Sequence, residues 1–299
     1  MVADNNPPAA LLPHLAVCVT FFYDAARLAY LREITSHYSE FSEKVDIYVI
    51  TNRDDPDVTE LIRAALPGNL PKVTVKFIVP RWLGHPYLLT WVHREVFREV
   101  VKDPGISHFL YTEDDLRITA GNVAYWLHYR PILREHGLIP SFFRVEKHPR
   151  IGWCSTDCKV PVCISSQPVV PIDRDRHFIC LPNPYQGTYF LDRELMDEFA
   201  ASPAMSPDFG RWKIRESAAA GLTFVNVPAG FTSRNVVPFY PARKLVCEDS
   251  WIRHLPGNYA NNPELKFGKL PVEVPGLLLT RLGYLRWRWG KSSGRVAEE

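Results

Sequence analysis

Three consecutive carboxylates, Glu113-Asp114-Asp115, stand directly after an apolar and aromatic run, His108–Thr112 (HFLYT). Adjacent carboxylates repel one another, and a divalent cation relieves that repulsion well. A Mg2+ or Mn2+ ion held by such oxygens keeps open positions for a diphosphate. The competing reading is a solvated acidic turn that caps a helix near Thr119. Where the triplet stands in the fold decides between the two.

The N-terminal half alternates strand and helix. His14–Tyr23 (HLAVCVTFFY) is apolar, β-branched and aromatic, as a buried parallel strand should be. Asp24 can cap the following helix, in which Leu28, Leu31, Ile34 and Tyr38 recur at helical spacing. Val45–Thr51 is a second strand, followed by a polar loop and a helix at Val58–Ala65. Lys72–Val79 is a third strand, and Leu88, Val92, Val96 and Val100 give the next helix one apolar stripe. The strand His108–Thr112 then runs into the triplet. This order predicts an open, mostly parallel α/β sheet with helices on both faces. Ligands of such sheets bind at the carboxyl ends of the strands, which favours the functional reading of the triplet.

The second half is less regular. A helix is expected at Asn122–His128, broken or restarted at Pro131. Short strand-like runs follow at Ser141–Val145, Val160–Val170, Phe178–Leu181 and Thr188–Leu191, then helical stretches near Asp192–Ala200 and Arg211–Ala220. No repeat or Gly/Ser linker divides the chain. The expected organisation is a tail (1–13), one domain (14–275, with a ligand half 14–118 and a second half 119–275), and a basic-aromatic segment (276–299).

Composition sets outer bounds. A formal net charge of +2 is too close to neutrality to argue for nucleic acid. Met1 to Pro13 lack the basic start and apolar core of an export signal, and no eighteen-residue apolar run occurs. A cytoplasmic location is therefore expected. The six cysteines are expected as free thiols. Cys154, Cys158 and Cys163 lie close together but not at zinc-ligand spacing. Leu277–Lys291 mixes Leu, Tyr and Trp with Arg and Lys, a pattern suited to the inner face of an anionic membrane or to an amphipathic helix packed on the domain.

HFLYTEDDLRIT resembles the Asp-x-Asp region of GT-A glycosyltransferases, and the order of elements from Leu15 to His254 is similar to theirs. The resemblance implies a Rossmann-like GT-A fold whose irregular second half receives the acceptor. It implies a UDP- or GDP-sugar donor, a glycan or lipid-linked acceptor, and Mn2+ or Mg2+ as cofactor. By that likeness Asp115 binds the metal with Glu113 or Asp114, and His254 in Trp251–Asn262 adds a ligand. Glu113 departs from the usual first Asp. Donor base and ribose fall to Thr20, Phe21, Tyr23, Asn52 and Arg53, and Asp114 also faces the donor.

The diphosphate needs further positive charge. Arg81, at the end of the third strand, is the preferred contact; His85, His93 and Arg94 lie nearby. Glu216, in Trp212–Ala220, resembles the general base of inverting GT-A enzymes, with Asp208 and Asp249 in reserve. Two other classes compete. A phosphohydrolase or nucleotidyltransferase should show a second acidic cluster or a Gly-rich, Lys-containing loop after the first strand, where FFYDAARLAY stands instead. A non-catalytic carbohydrate-binding protein of the same fold is separated only by testing for transfer.

Overall fold

A computed structural model describes residues 11–293 except 69 and 71, so the N-terminal tail lies almost wholly outside the described residues. The helices are α1 (Leu28–Ser36), α2 (Pro56–Ala65), α3 (Val92–Val100), α4 (Ala120–Arg134), α5 (Arg193–Ala201), α6 (Ile214–Ala218) and α7 (Arg281–Ser293). Tertiary contacts gather into two compact units. One takes the residues up to His128 together with Tyr185–Val225; the other takes Tyr129–Pro184 and the residues from Asn226 on. Each unit is built from separated stretches of chain.

The first unit holds the alternating β/α region. Its strands β1 (Leu15–Phe21), β2 (Val45–Thr51), β3 (Val73–Ile78) and β4 (His108–Glu113) are parallel, in the order β3-β2-β1-β4. Every residue of β1 and β2 is buried, which is why both read as nearly unbroken apolar runs. The strand Thr188–Asp192 pairs antiparallel with β4 and finishes the sheet on that side. Asp192 then caps α5 through an Oδ1 bond from the Leu195 amide at 2.8 Å.

Two helical expectations change. The buried face of α3 carries His93, Arg94, Val96, Phe97 and Val100, while Leu88 falls in a 3-10 segment, Pro86–Trp91, before it. The stripe is therefore turned by about one residue, because α3 starts at Val92 and places a cation inside. Helix α4 continues through Pro131 to Arg134 instead of breaking there.

In the second unit, Val169–Pro171, His177–Ile179, Asn235–Tyr240 and Leu245–Val246 form an antiparallel sheet, with Ile139–Pro140 parallel beside Asn235 and Val236. A further group pairs Leu270–Pro271, Gly152–Ser155, Phe143–His148 and Trp251–His254. The "mostly parallel" expectation thus holds for the first unit only. The apolar core here includes Phe143, Val145, Ile179, Val237, Phe239, Leu277 and Leu278. All six cysteines are free and buried. No helix among the described residues is long and apolar enough to cross a membrane.

Candidate functional site

The order of strands in the first sheet reverses at β1: β2 and β3 are added on one side of it and β4 on the other, all parallel. Open α/β sheets leave a crevice for ligands at such a switch point, outside the carboxyl ends of the strands. The last residue of β4, Glu113, pairs in register with Thr20 of β1. Asp114 and Asp115 follow, only 3% and 5% exposed. The acidic triplet therefore stands at the switch point.

A cation already meets it. Arg27 closes the 3-10 turn Ala25–Arg27 immediately after β1, a turn capped by the Asp24 side chain on the Ala26 amide. Its Nε donates to Asp114 Oδ2 at 2.8 Å and its Nη2 to Asp114 Oδ1 at 2.7 Å. The same Nη2 reaches Asp115 Oδ2 at 2.8 Å. Side-on contact of this kind is the strong, two-pronged form of the arginine–carboxylate bond. Burial works against the Arg27 charge, but the Asp114 bonds and the charges of both aspartates outweigh it and hold the guanidinium firmly protonated. For Asp114, burial together with the charges of Asp115 and Glu113 outweighs the guanidinium and raises the carboxyl to about 7.

Carboxylate oxygens are suitable ligands for Mg2+ or Mn2+. Their arrangement here does not fit that role, since the guanidinium occupies three of the four oxygens of the aspartate pair. Among the described residues no group of three His, Cys, Asp or Glu side chains is gathered to hold a metal ion. His254, the expected extra ligand, has its Nδ1 bound to the fully buried Glu146. Glu146 also accepts the amides of Tyr259 and Ala260, at 2.9 and 2.5 Å. These bonds tie the strand Trp251–His254 to the loop that follows it.

The expected base-binding residues divide. Phe21 is 0% exposed and Thr20 is buried, so both belong to the sheet interior, because the strand is covered on both faces to its last residue. Exposure begins one position later, at Phe22. The Tyr23 amide donates to Asn52 Oδ1 at 2.8 Å and ties the ends of β1 and β2 together. Arg53 Nε bonds Asp55 at 2.7 Å in an exposed turn, which is the capping-turn alternative.

The expected phosphate contacts divide as well. Arg81 is exposed just past β3. His85 caps Pro86–Trp91 by accepting the Tyr87 amide at 3.1 Å. His93 and Arg94 are interior groups, unavailable to phosphate. The His93 ring stacks on Tyr111 at 3.9 Å, and burial drives its pKa far down. Arg94 donates to the carbonyls of Ala204, Ser217 and Ala218, at 3.1 and 3.3 Å for the last two, and lies 3.7 Å over the Trp91 ring.

These bonds fix α6, which carries Glu216. Trp91 Nε1 adds a 2.7 Å bond to the Ile214 carbonyl. Glu216 is half-buried, with its carboxylate 3.6 Å from Arg215. Of the reserves, Asp208 is exposed and Asp249 is paired with Arg176 at 2.6 Å.

Three residues here carry no role in the sequence reading. Arg27 is the only basic residue between Leu15 and Leu31, which is its sole signal. Phe22 lies inside the apolar run His14–Tyr23, which reads as strand interior. Trp82, 84% exposed, lies over Gly84, where a Cβ would come within 2.9 Å of the indole and φ is +65°. No protein-family model matches this chain, and no curated protein is significantly similar to it.

Proposed function

We propose that this chain is a nucleotide-sugar-dependent glycosyltransferase of the GT-A type. One observation carries the reading: an acidic triplet, already neutralised in part by a cation, stands at the switch point of a parallel sheet. That is where a nucleoside diphosphate would be expected to sit.

In this reading the donor, a UDP- or GDP-sugar, lies across the ends of β1 and β4. Phe22 and Trp82 offer exposed ring faces for the base or a sugar. Transfer forms a bond from the acceptor oxygen to the anomeric carbon and breaks the bond from that carbon to the phosphate oxygen. The nucleoside diphosphate departs with the electron pair. Glu216 is the group assigned to take the acceptor hydroxyl proton, and it lies on a helix fixed in the same unit as the triplet. The acceptor is a glycan or a lipid-linked saccharide. Helix α7, with Arg281, Arg286 and Arg288 and an exposed Trp289, suits the second at an anionic surface.

Calorimetry of the protein against UDP, GDP and their sugars, with and without Mn2+ and on Asp115→Ala, tests the reading. One nucleotide family should bind the protein and lose affinity in the variant. If no nucleotide binds under any condition, the triplet is a structural turn and the reading is wrong.

A further inference from the structure

The sheet edge holds one cation that the sequence reading did not use, and its hydrogen bonding is asymmetric. Arg27 engages the two aspartates through Nε and Nη2 only. No protein acceptor among the described residues takes Nη1. The side chain keeps 32% of its surface exposed, whereas its partners Asp114 and Asp115 keep 5% and 7%. A guanidinium is flat and rigid, so a side-on contact along its Nε–Nη2 edge turns Nη1 away from the carboxylates. Two strong bonds to Asp114 and a third to Asp115 fix that orientation. The Tyr30 ring, 5.9 Å from the guanidinium carbon, flanks the group on its own helix. Helix α1 begins at the next residue, Leu28, so the positive end of its dipole lies beside the guanidinium.

The carboxylates of such a motif ordinarily neutralise a divalent ion, and the ion meets the phosphates. Here their oxygens already neutralise a guanidinium, which is itself a good phosphate ligand. We propose that Arg27 is the resident cation of this site: Asp114 and Asp115 lock it in place, and its Nη1 donates to the diphosphate oxygens of the bound nucleotide. A divalent ion then competes with Arg27 for the aspartates and is not required for binding. The inference rests on the glycosyltransferase reading above and deepens it by naming the group that meets the diphosphate. As an interaction made with the departing diphosphate, it would also stabilise the charge that grows there during transfer.

The test compares UDP and GDP with uridine and guanosine by calorimetry, in EDTA and in Mn2+, on the full chain and on Arg27→Gln and Arg27→Lys. The expected result is nucleotide binding that persists in EDTA. Arg27→Gln should then weaken UDP or GDP roughly ten- to a hundredfold, the value of a charge-assisted hydrogen bond. The matching nucleoside, lacking phosphates, should change by less than about twofold, a split that mere misfolding would not produce. Arg27→Lys keeps a cation but not the fork, and should show the same split with a smaller loss. It also carries the test if the Gln variant does not fold. Binding that needs Mn2+ and tightens in Arg27→Gln would overturn the inference and leave the glycosyltransferase reading standing with a metal. Absence of nucleotide and nucleoside binding in every condition would overturn both.

Discussion

Each unit contains an arginine gripped side-on by an aspartate, and the two differ in how far the arginine is open to solvent. In the second unit Arg144 Nε and Nη2 donate to Asp157 at 3.0 and 2.6 Å, with side chains 5% and 10% exposed. Thr156 Oγ1 adds a 2.8 Å bond to the same carboxylate. In the first unit the same geometry joins Arg27 to Asp114, Asp115 accepts a third bond, and the arginine side chain keeps 32% of its surface exposed. A pair buried on both sides serves the packing of the fold. An arginine held just as firmly but left partly open stays within reach of a ligand.

The largest effect expected from this contrast is at the closed pair. Asp157→Ala takes the side-on carboxylate from the buried Arg144 and should cost about 3–5 kcal/mol of stability, read from urea unfolding. A loss below about 1 kcal/mol would show that the buried pair is not structural and remove one side of the comparison.

The next effect concerns how the parallel sheet treats a buried titratable group, where burial outweighs the nearby Asp192 charge. Burial lowers His108, at the start of β4 and stacked on Phe190, from the ordinary 6.5 to about 4. The unfolded chain therefore binds this proton at a higher pH than the folded one. Stability is fully present above about pH 6.5 and is lost as pH falls toward 4, by on the order of 3 kcal/mol. Unfolding measured at pH 7.5 and pH 5 should show the loss, and His108→Gln should flatten it. An unchanged slope in that variant would place the titrating group elsewhere.

The smallest and sharpest prediction is at the open site. Asp115→Asn removes one of two adjacent charges and leaves the Arg27–Asp114 fork in place, so thermal unfolding should show a gain of about 0.5–1 kcal/mol. Nucleotide affinity should fall in the same protein. A loss of stability there would mean that both pairs serve packing, and the contrast between the units would collapse.

Much of the first unit was legible because its strands are buried on both faces. The apolar runs of β1 and β2 and the short run before the triplet could be read directly, and with them the place of Glu113, Asp114 and Asp115. What could not be read depends on contacts distant in sequence. Arg94 looks like an exposed helix residue, and only the carbonyls of Ala204, Ser217 and Ala218, more than a hundred positions away, make it an interior group. Phe21 and Phe22 are chemically identical neighbours, and the point where the sheet's cover stops separates them. Arg27 gave no motif, because a cation that answers an acidic motif can come from any element ending at the same edge. The second unit was least legible, since strands of two to six residues carry too little periodicity to fix their partners.

The antiparallel strand Thr188–Asp192 has a consequence for how the protein is made. It is the neighbour that closes the outer edge of β4, yet it leaves the ribosome long after β4 has done so. For that interval the growing chain presents an open strand edge, the kind of template on which nascent chains stick to one another. Glu113, Asp114 and Asp115 sit at the end of that strand. Clustered like charge is a recognised deterrent to edge-to-edge pairing. The carboxylates assigned to the binding site would then have an earlier task, keeping nascent copies apart until their own chain supplies the missing strand.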